Sequence, residues 1–454
     1  AHFNNNKGTV MAGAISNSAS STELAAGVIP EAQRLGRGSL TMAWWGICSA
    51  MFYLVVAAAL AMGYGTLNAL IGLLLSVLSY GAINAIISRY AIASGLSVAL
   101  FSQVLFGKAG AALATLIFCA TAVYYSVFEG SVMAVALQHS FPALGTHASA
   151  LVVVIYSVLM IFGNAMRRLD KLNGLLLPLY LIGLFALVGM SIAEYGYSTA
   201  WLELAPPGGP VAHGWWNCFT YFMGVWVLMM YTWDYARYGR PEDSDYHARV
   251  NFGMPFYVVT FLLNGTVGIF LAATIPSDGG LSEVSVVLAI IKLMGLGGLL
   301  FVWITQTRIN TGNFFLAATN MQAFFARLGL GRVPYAAWAL LTGTLVYLLM
   351  LLDVFGYILQ ALSYQSIFIV SWVAIALAQI RRTRGQPGGY PAQLPAFNAR
   401  GLLTWFISAA VGIALLGHAE LSSFSAPASF CLAFLGYLWA PSLARRPLAG
   451  SDIG

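Results

Sequence analysis

Charge is what this chain has least of. Only 8% of its 454 residues are Asp, Glu, Lys or Arg, against about 25% in a soluble domain. With 59% hydrophobic residues, that scarcity excludes an ordinary water-soluble globule and points to a polytopic membrane protein. Cysteine is also rare. Cys48, Cys119, Cys218 and Cys431 fall in apolar stretches at unrelated spacings, which excludes a disulfide framework and a thiolate metal site. The six histidines, His2, His139, His147, His213, His247 and His418, all fall in stretches read as loops or tails. No haem, metal or other cofactor is implied within the membrane. The net charge of +6 is spread over short loops, so nucleic acid is not an expected partner. Paired carboxylates and nucleophile motifs are missing, which speaks against a membrane enzyme. So are filter repeats and charge rings, which speaks against a channel.

What the chain does have is twelve apolar runs, at 40–63, 66–88, 110–137, 148–165, 173–193, 215–236, 253–275, 297–325, 334–353, 356–380, 401–417 and 425–441. They are called segments 1 to 12 below, and each is read as a membrane-spanning helix. An amphipathic stretch at 281–293 reads as a surface helix. The expected organisation is a polar cytoplasmic tail at 1–38, a ten-helix core at 39–380, a basic cytoplasmic loop at 381–400, segments 11 and 12 at 401–441, and a cytoplasmic tail at 442–454. With the N-terminus in the cytoplasm, nineteen of the 21 Lys and Arg fall on that side, all but Lys292 and Arg308. Such a bias sets the orientation.

The same census of acids leaves only Glu129 well inside a segment. The apolar interior therefore holds one acid, on segment 3, and one base, Arg308, on segment 8. Arg308 lies about eleven residues into its segment, ~16 Å deep at ~1.5 Å per residue. A charge at that depth costs at least about 2.5–3.5 kcal/mol and marks a functional position by default. Gln306, Asn310, Asn313 and Asn320 form a polar stripe on the same helix, while Thr307, Arg308 and Thr311 occupy another part of its circumference. A helix polar on two sides must be enclosed by other helices or line a wet cavity.

Segments 1 and 6 share an irregularity. Trp44, Trp45 and Gly46 interrupt the first, and Gly224, Val225 and Trp226 interrupt the sixth. Interrupted helices at matching places in two halves point to an inverted-repeat transporter with its site at the breaks.

The run Trp233 to Arg240, WDYARYGR, resembles the proline–aspartate–aromatic–hydroxyl–arginine–aromatic signature that closes the sixth helix in the nucleobase–cation symporter-one family. Thr311, Gly312, Asn313 and Phe314 are similar to that family's Asn-containing motif on helix 8. Ser88 to Tyr90, followed by 101–110, looks like its loop between helices 2 and 3. Tyr124 to Glu129 falls where the family has an aromatic residue followed at a fixed spacing by Gln. The resemblance implies an all-α, LeuT-like fold with helices 1–5 and 6–10 as inverted repeats and two peripheral helices. It implies a bacterial inner-membrane transporter and a midplane site between helices 1, 3, 6 and 8. There Tyr125 and Trp226 would stack on a flat substrate, and Glu129 and Asn313 would bond its edge. The substrate class implied is a small planar nitrogen-rich compound, a purine, pyrimidine, hydantoin or ureide, neutral or cationic. Amino-acid or amine transport on the same fold, and sodium-coupled nucleobase symport, are the alternatives.

Two positions depart from the pattern. Glu129 stands where relatives have a neutral Gln. Thr307 and Arg308 stand where sodium-coupled relatives place small hydroxyl residues. Arg308 is thus either a built-in cation in the sodium position or a structural partner of Glu129 or of backbone carbonyls. Glu129 is a substrate contact, a proton-carrier candidate, or a balance for Arg308. Asn313 is a substrate contact or an interhelical bond. Asp234 and Arg237 form a helix-end network and an inner-gate candidate. The expected partners are a small-molecule substrate, protons and the bilayer; oligomeric state is not legible.

Overall fold

The computed structural model describes residues 28–162, 165–276 and 281–440. The expected tails therefore lie outside it at 1–27 and 442–454. All described secondary structure is helical, apart from one isolated bridge between Leu35 and Gly239. Seven described helices are individually long and apolar enough to cross a membrane, and nine if each sharply bent pair counts as one span. Each sequence-defined segment contains helix. Segment 2 is Thr66–Ser94, segment 3 Ala112–Ser140, segment 4 Gly145–Met160, segment 5 Ala165–Tyr195, segment 8 Leu296–Phe325, segment 10 Ile358–Arg382 and segment 12 Ser425–Trp439. The expected surface helix is present as Ser285–Met294.

Segment 1 is two helices, Arg37–Trp45 and Phe52–Tyr64, bent by 42° about a break. The chain tightens to a 3-10 turn over Gly46–Ser49 and becomes extended at Ala50 (φ −64°, ψ 126°). Segment 6 is interrupted more gently. Gly214–Phe222 and Val227–Ala236 are joined by a 3-10 turn at Met223–Val225 with helical dihedrals throughout. The two irregularities are therefore unequal: the first frees backbone groups on both sides, the second only stretches the ladder.

Segments 3 and 8 pack along much of their length, which places Glu129 and Arg308 on neighbouring helices beside the break in segment 1. Burial explains the odd composition of segment 8. Its polar Thr305, Gln306, Thr307, Asn310, Thr311 and Asn313 are all buried, while Leu296, Leu300 and Ile304 are exposed. The helix turns its polar circumference inward and keeps an aliphatic edge for lipid, as the cost of bare polar groups in hydrocarbon demands. Between segments 2 and 3 the short helix Val98–Phe106 is capped by Ser97, whose hydroxyl accepts from the Leu100 N–H.

Candidate functional site at the break in segment 1

A broken helix leaves carbonyls free at the end of its first half and N–H groups free at the start of its second. Within a membrane each must find a partner, and here side chains from three other segments, with Ser49 of segment 1 itself, supply them. Arg308 Nη2 donates to the Ala43 carbonyl at 3.3 Å. The same guanidinium lies so close to Gly46 that a β-carbon there would collide with it; Gly46 is glycine because Arg308 occupies the space. Ser49 Oγ donates to the Gly46 carbonyl at 3.0 Å. Asn264 Nδ2 donates to the Cys48 carbonyl at 2.7 Å, and the Tyr180 hydroxyl on segment 5 holds the Asn264 oxygen at 2.9 Å.

The amide end is met from segments 3 and 8. The Glu129 carboxyl, 1% exposed, accepts from the Phe52 backbone N–H. Gln306 lies between Glu129 and the break. Its amide is assigned with nitrogen toward the carboxylate, because the opposite orientation sets acceptor against acceptor. It then donates to Glu129, and its oxygen accepts from Met51 N–H at 3.3 Å and Thr305 Oγ1 at 3.2 Å. The half-helix beginning at Phe52 thus presents its positive end to an anion, and the half ending at Trp45 presents its negative end to a cation. Both arrangements are favoured by the helix dipole. Glu129 and Arg308 form no ion pair with each other among the described residues, where the ion pairs are Arg37–Asp243 and Arg89–Asp245.

The remaining sequence candidates divide. Tyr125, one turn before Glu129, is buried edge-on to Phe52 with ring centres 5.1 Å apart. Its hydroxyl lies beside Gln365 at a geometry short of a hydrogen bond. Asn313 is 9% exposed and makes no hydrogen bond to a described residue. Trp226 does not face Tyr125. Its ring meets Tyr80 at 6.2 Å and Phe430 at 5.4 Å, both edge-on, on segments 2 and 12. Thr307 also looks elsewhere. It donates to Trp303 O at 2.6 Å and accepts from the Tyr156 hydroxyl on segment 4 at 3.0 Å. The stripe of amides on segment 8 likewise splits, since Asn310 donates to Ser157 on segment 4 at 2.9 Å and Asn320 to its own helix. Asp234 accepts from the Val98 N–H at 3.0 Å, with Arg237 in electrostatic reach.

Sequence reasoning missed four contributors. Asn264 holds the Cys48 carbonyl, and Tyr180 holds Asn264. Gln365 donates to the Gly224 carbonyl at 2.9 Å and, with the Tyr80 hydroxyl on the Phe222 carbonyl at 2.5 Å, satisfies the stretched turn of segment 6. Amides and hydroxyls inside apolar runs were the available signal. The Tyr231 hydroxyl on segment 6, an electrostatic neighbour of Tyr125, is also buried without a hydrogen bond among the described residues.

No protein-family model and no curated protein sequence matches the chain. Solved structures do. An inward-facing structure of Mhp1 superposes with a TM-score of 0.69 at 13% identity, covering 88% of this chain and 90% of that one. A closed structure of Mhp1, described as a nucleobase–cation-symport-1 family transporter with bromovinylhydantoin bound, gives 0.67 at 13% identity over 91% and 95%. A manganese transporter of Eremococcus coleocola gives 0.54 at 13% identity over 90% and 95%. At this identity the likeness speaks for architecture: the chain has the LeuT-like fold of these membrane transporters.

Proposed function

We propose that this chain is a secondary active transporter of the nucleobase–cation symporter type that moves a small, planar, nitrogen-rich compound by alternating access, with Arg308 standing where a sodium ion would otherwise sit. The observation that carries this reading is the lodging of the Arg308 guanidinium against Ala43 O and Gly46 at the carbonyl end of the broken helix. Carbonyls at such a break suit a dissolved cation, and a tethered guanidinium satisfies them without one. Transport is then independent of sodium, and Glu129, on the opposite side of the break, is the group available to carry a proton.

Glu129 also bears on the substrate. The free amides of a half-helix are where a substrate carboxylate would bind in this type of site. Here the protein's own carboxylate and the Gln306 oxygen take the Phe52 and Met51 N–H groups. That favours a ligand without a carboxylate over an amino acid. The polar groups left for it are the Asn313 amide and the Tyr125 and Tyr231 hydroxyls, suited to the edge and face of a flat heterocycle.

The test is uptake into proteoliposomes. Labelled purines, pyrimidines and hydantoins should accumulate equally with sodium or choline outside, respond to an inward proton gradient, and be competed by one another but not by amino acids. Uptake that requires sodium overturns the assignment of Arg308, and competition by amino acids alone overturns the substrate class.

A further inference from the structure

A cleft of about 830 Å³ opens between segments 2, 10 and 12. Its walls are apolar, with Ile86, Leu377, Phe430 and Phe434 among them, and its rim carries Arg381, Arg382 and Arg384. Phe430 and Phe434 stack with planes 10° apart and form one flat wall. None of the three arginines pairs with a carboxylate among the described residues. Arg382 donates to the Leu438 carbonyl at 3.2 Å and ties the ends of segments 10 and 12 together. Arg381 and Arg384 are exposed, and neither side chain makes a hydrogen bond to a described residue. Arg400, stacked over Tyr437, brings a fourth guanidinium to the same end. Lys108 and Arg327 meet there too, through the Lys108 carbonyl. This is the end that the loop-charge bias marks as cytoplasmic.

Three unpaired like charges at the mouth of a hydrophobic slot repel one another. An anion seated among them would be attracted by all three. A soluble anion would not use the aromatic and aliphatic walls, whereas an acyl chain would. We propose that this cleft binds an anionic phospholipid, its phosphate between Arg381 and Arg384 and its chain along Phe430, Phe434 and Leu377. Basic recesses between membrane helices at the cytoplasmic face suit such headgroups. The site also reaches the transport core. Phe430 forms its wall on one side and meets the Trp226 ring, at the end of the segment 6 turn, on the other.

The test uses purified full-length protein in detergent, read by native mass spectrometry and by thermal unfolding. Phosphatidylglycerol should bind and raise Tm, and phosphatidylcholine and inorganic phosphate should not. Each arginine near an anionic headgroup is worth roughly fivefold in binding, so Arg381→Ala with Arg384→Ala should lose about 30-fold in affinity for phosphatidylglycerol. The paired Arg381→Lys and Arg384→Lys variant should keep most of that affinity and controls for folding. Equal binding of the two lipids overturns the proposal. So does stabilisation by inorganic phosphate to the same degree, or an undiminished lipid preference in the alanine variant, which would leave the cleft to some other occupant.

Discussion

A β-carbon at position 46 would land on the Arg308 guanidinium. The clash is with the far end of a flexible side chain, so Gly46→Ala should displace Arg308 rather than strain the backbone. What is lost is the hydrogen bond to Ala43 O and the lodging of a charge, on the order of 1–3 kcal/mol. The expected result is that Gly46→Ala lowers Tm and uptake in the same direction as Arg308→Ala. The double variant should be no worse than Arg308→Ala alone, because both act on one contact. A double-mutant cycle on thermal stability and uptake checks this, and additive losses would show that Gly46 is needed for another reason. Thr307, adjacent in sequence but bonded to Tyr156 on segment 4, should couple to neither.

At the scale of elements, the start of the short helix Val98–Phe106 is held by two acceptors, one of them on segment 6. Asp234 takes the Val98 N–H and Ser97 the Leu100 N–H. Ser97→Ala removes a cap and should cost about 1 kcal/mol. Asp234→Ala removes an acceptor and also the carboxylate facing the buried Arg237. It should cost ~1.5–3 kcal/mol, the range for a hydrogen bond to a charged group, with Asp234→Asn between the two. Thermal unfolding of the three variants in detergent gives the order, and equal losses for Ser97→Ala and Asp234→Ala would remove the electrostatic part.

The same elements show what the sequence made legible. A charge in an apolar run is costly enough to stand out, so Glu129 and Arg308 could be found by counting, and Gly46 beside two tryptophans marked the break. Which neighbour each helix face meets could not be read that way. Inside a membrane every face is apolar, so hydropathy does not say that Thr307 turns to segment 4 or that Trp226 turns to segments 2 and 12. Interhelical packing of small and aromatic side chains decides it. The likeness of Gly224 to Gly46 was equally ambiguous. Leu362 O lies where a β-carbon of Gly224 would go, so that glycine serves close packing with segment 10 more than a full break.

Across the whole molecule, the residues just before segment 1 are bonded to the ends of segments 2 and 6. Ile29 N–H donates to Gly95 O at 3.1 Å and Leu35 N–H to Tyr238 O at 2.7 Å. Arg34 Nη1 reaches both Ile92 O at 2.7 Å and Gly239 O at 2.5 Å. A single guanidinium therefore ties the start of segment 1 to the ends of segments 2 and 6. The Arg37–Asp243 pair beyond it is exposed on the arginine side, and such a pair contributes little. If the break at Gly46–Ser49 is the working site, this strap opposes its opening toward the ends it joins. Arg34→Ala removes hydrogen bonds worth ~1–3 kcal/mol, a roughly 5- to 150-fold rise in the unlatched population. The chain carries its own reporter. Cys48 is fully buried at the break, as is Cys218 on segment 6, and Cys119 nearly so on segment 3. In the Arg34→Ala variant a maleimide should label Cys48 faster by up to that factor, while Cys119 and Cys218 keep their rates. Peptide mapping by mass spectrometry separates the sites. A uniform rise at all three would mean general loosening of the bundle, and an unchanged Cys48 rate would mean that the strap does not control access to the break.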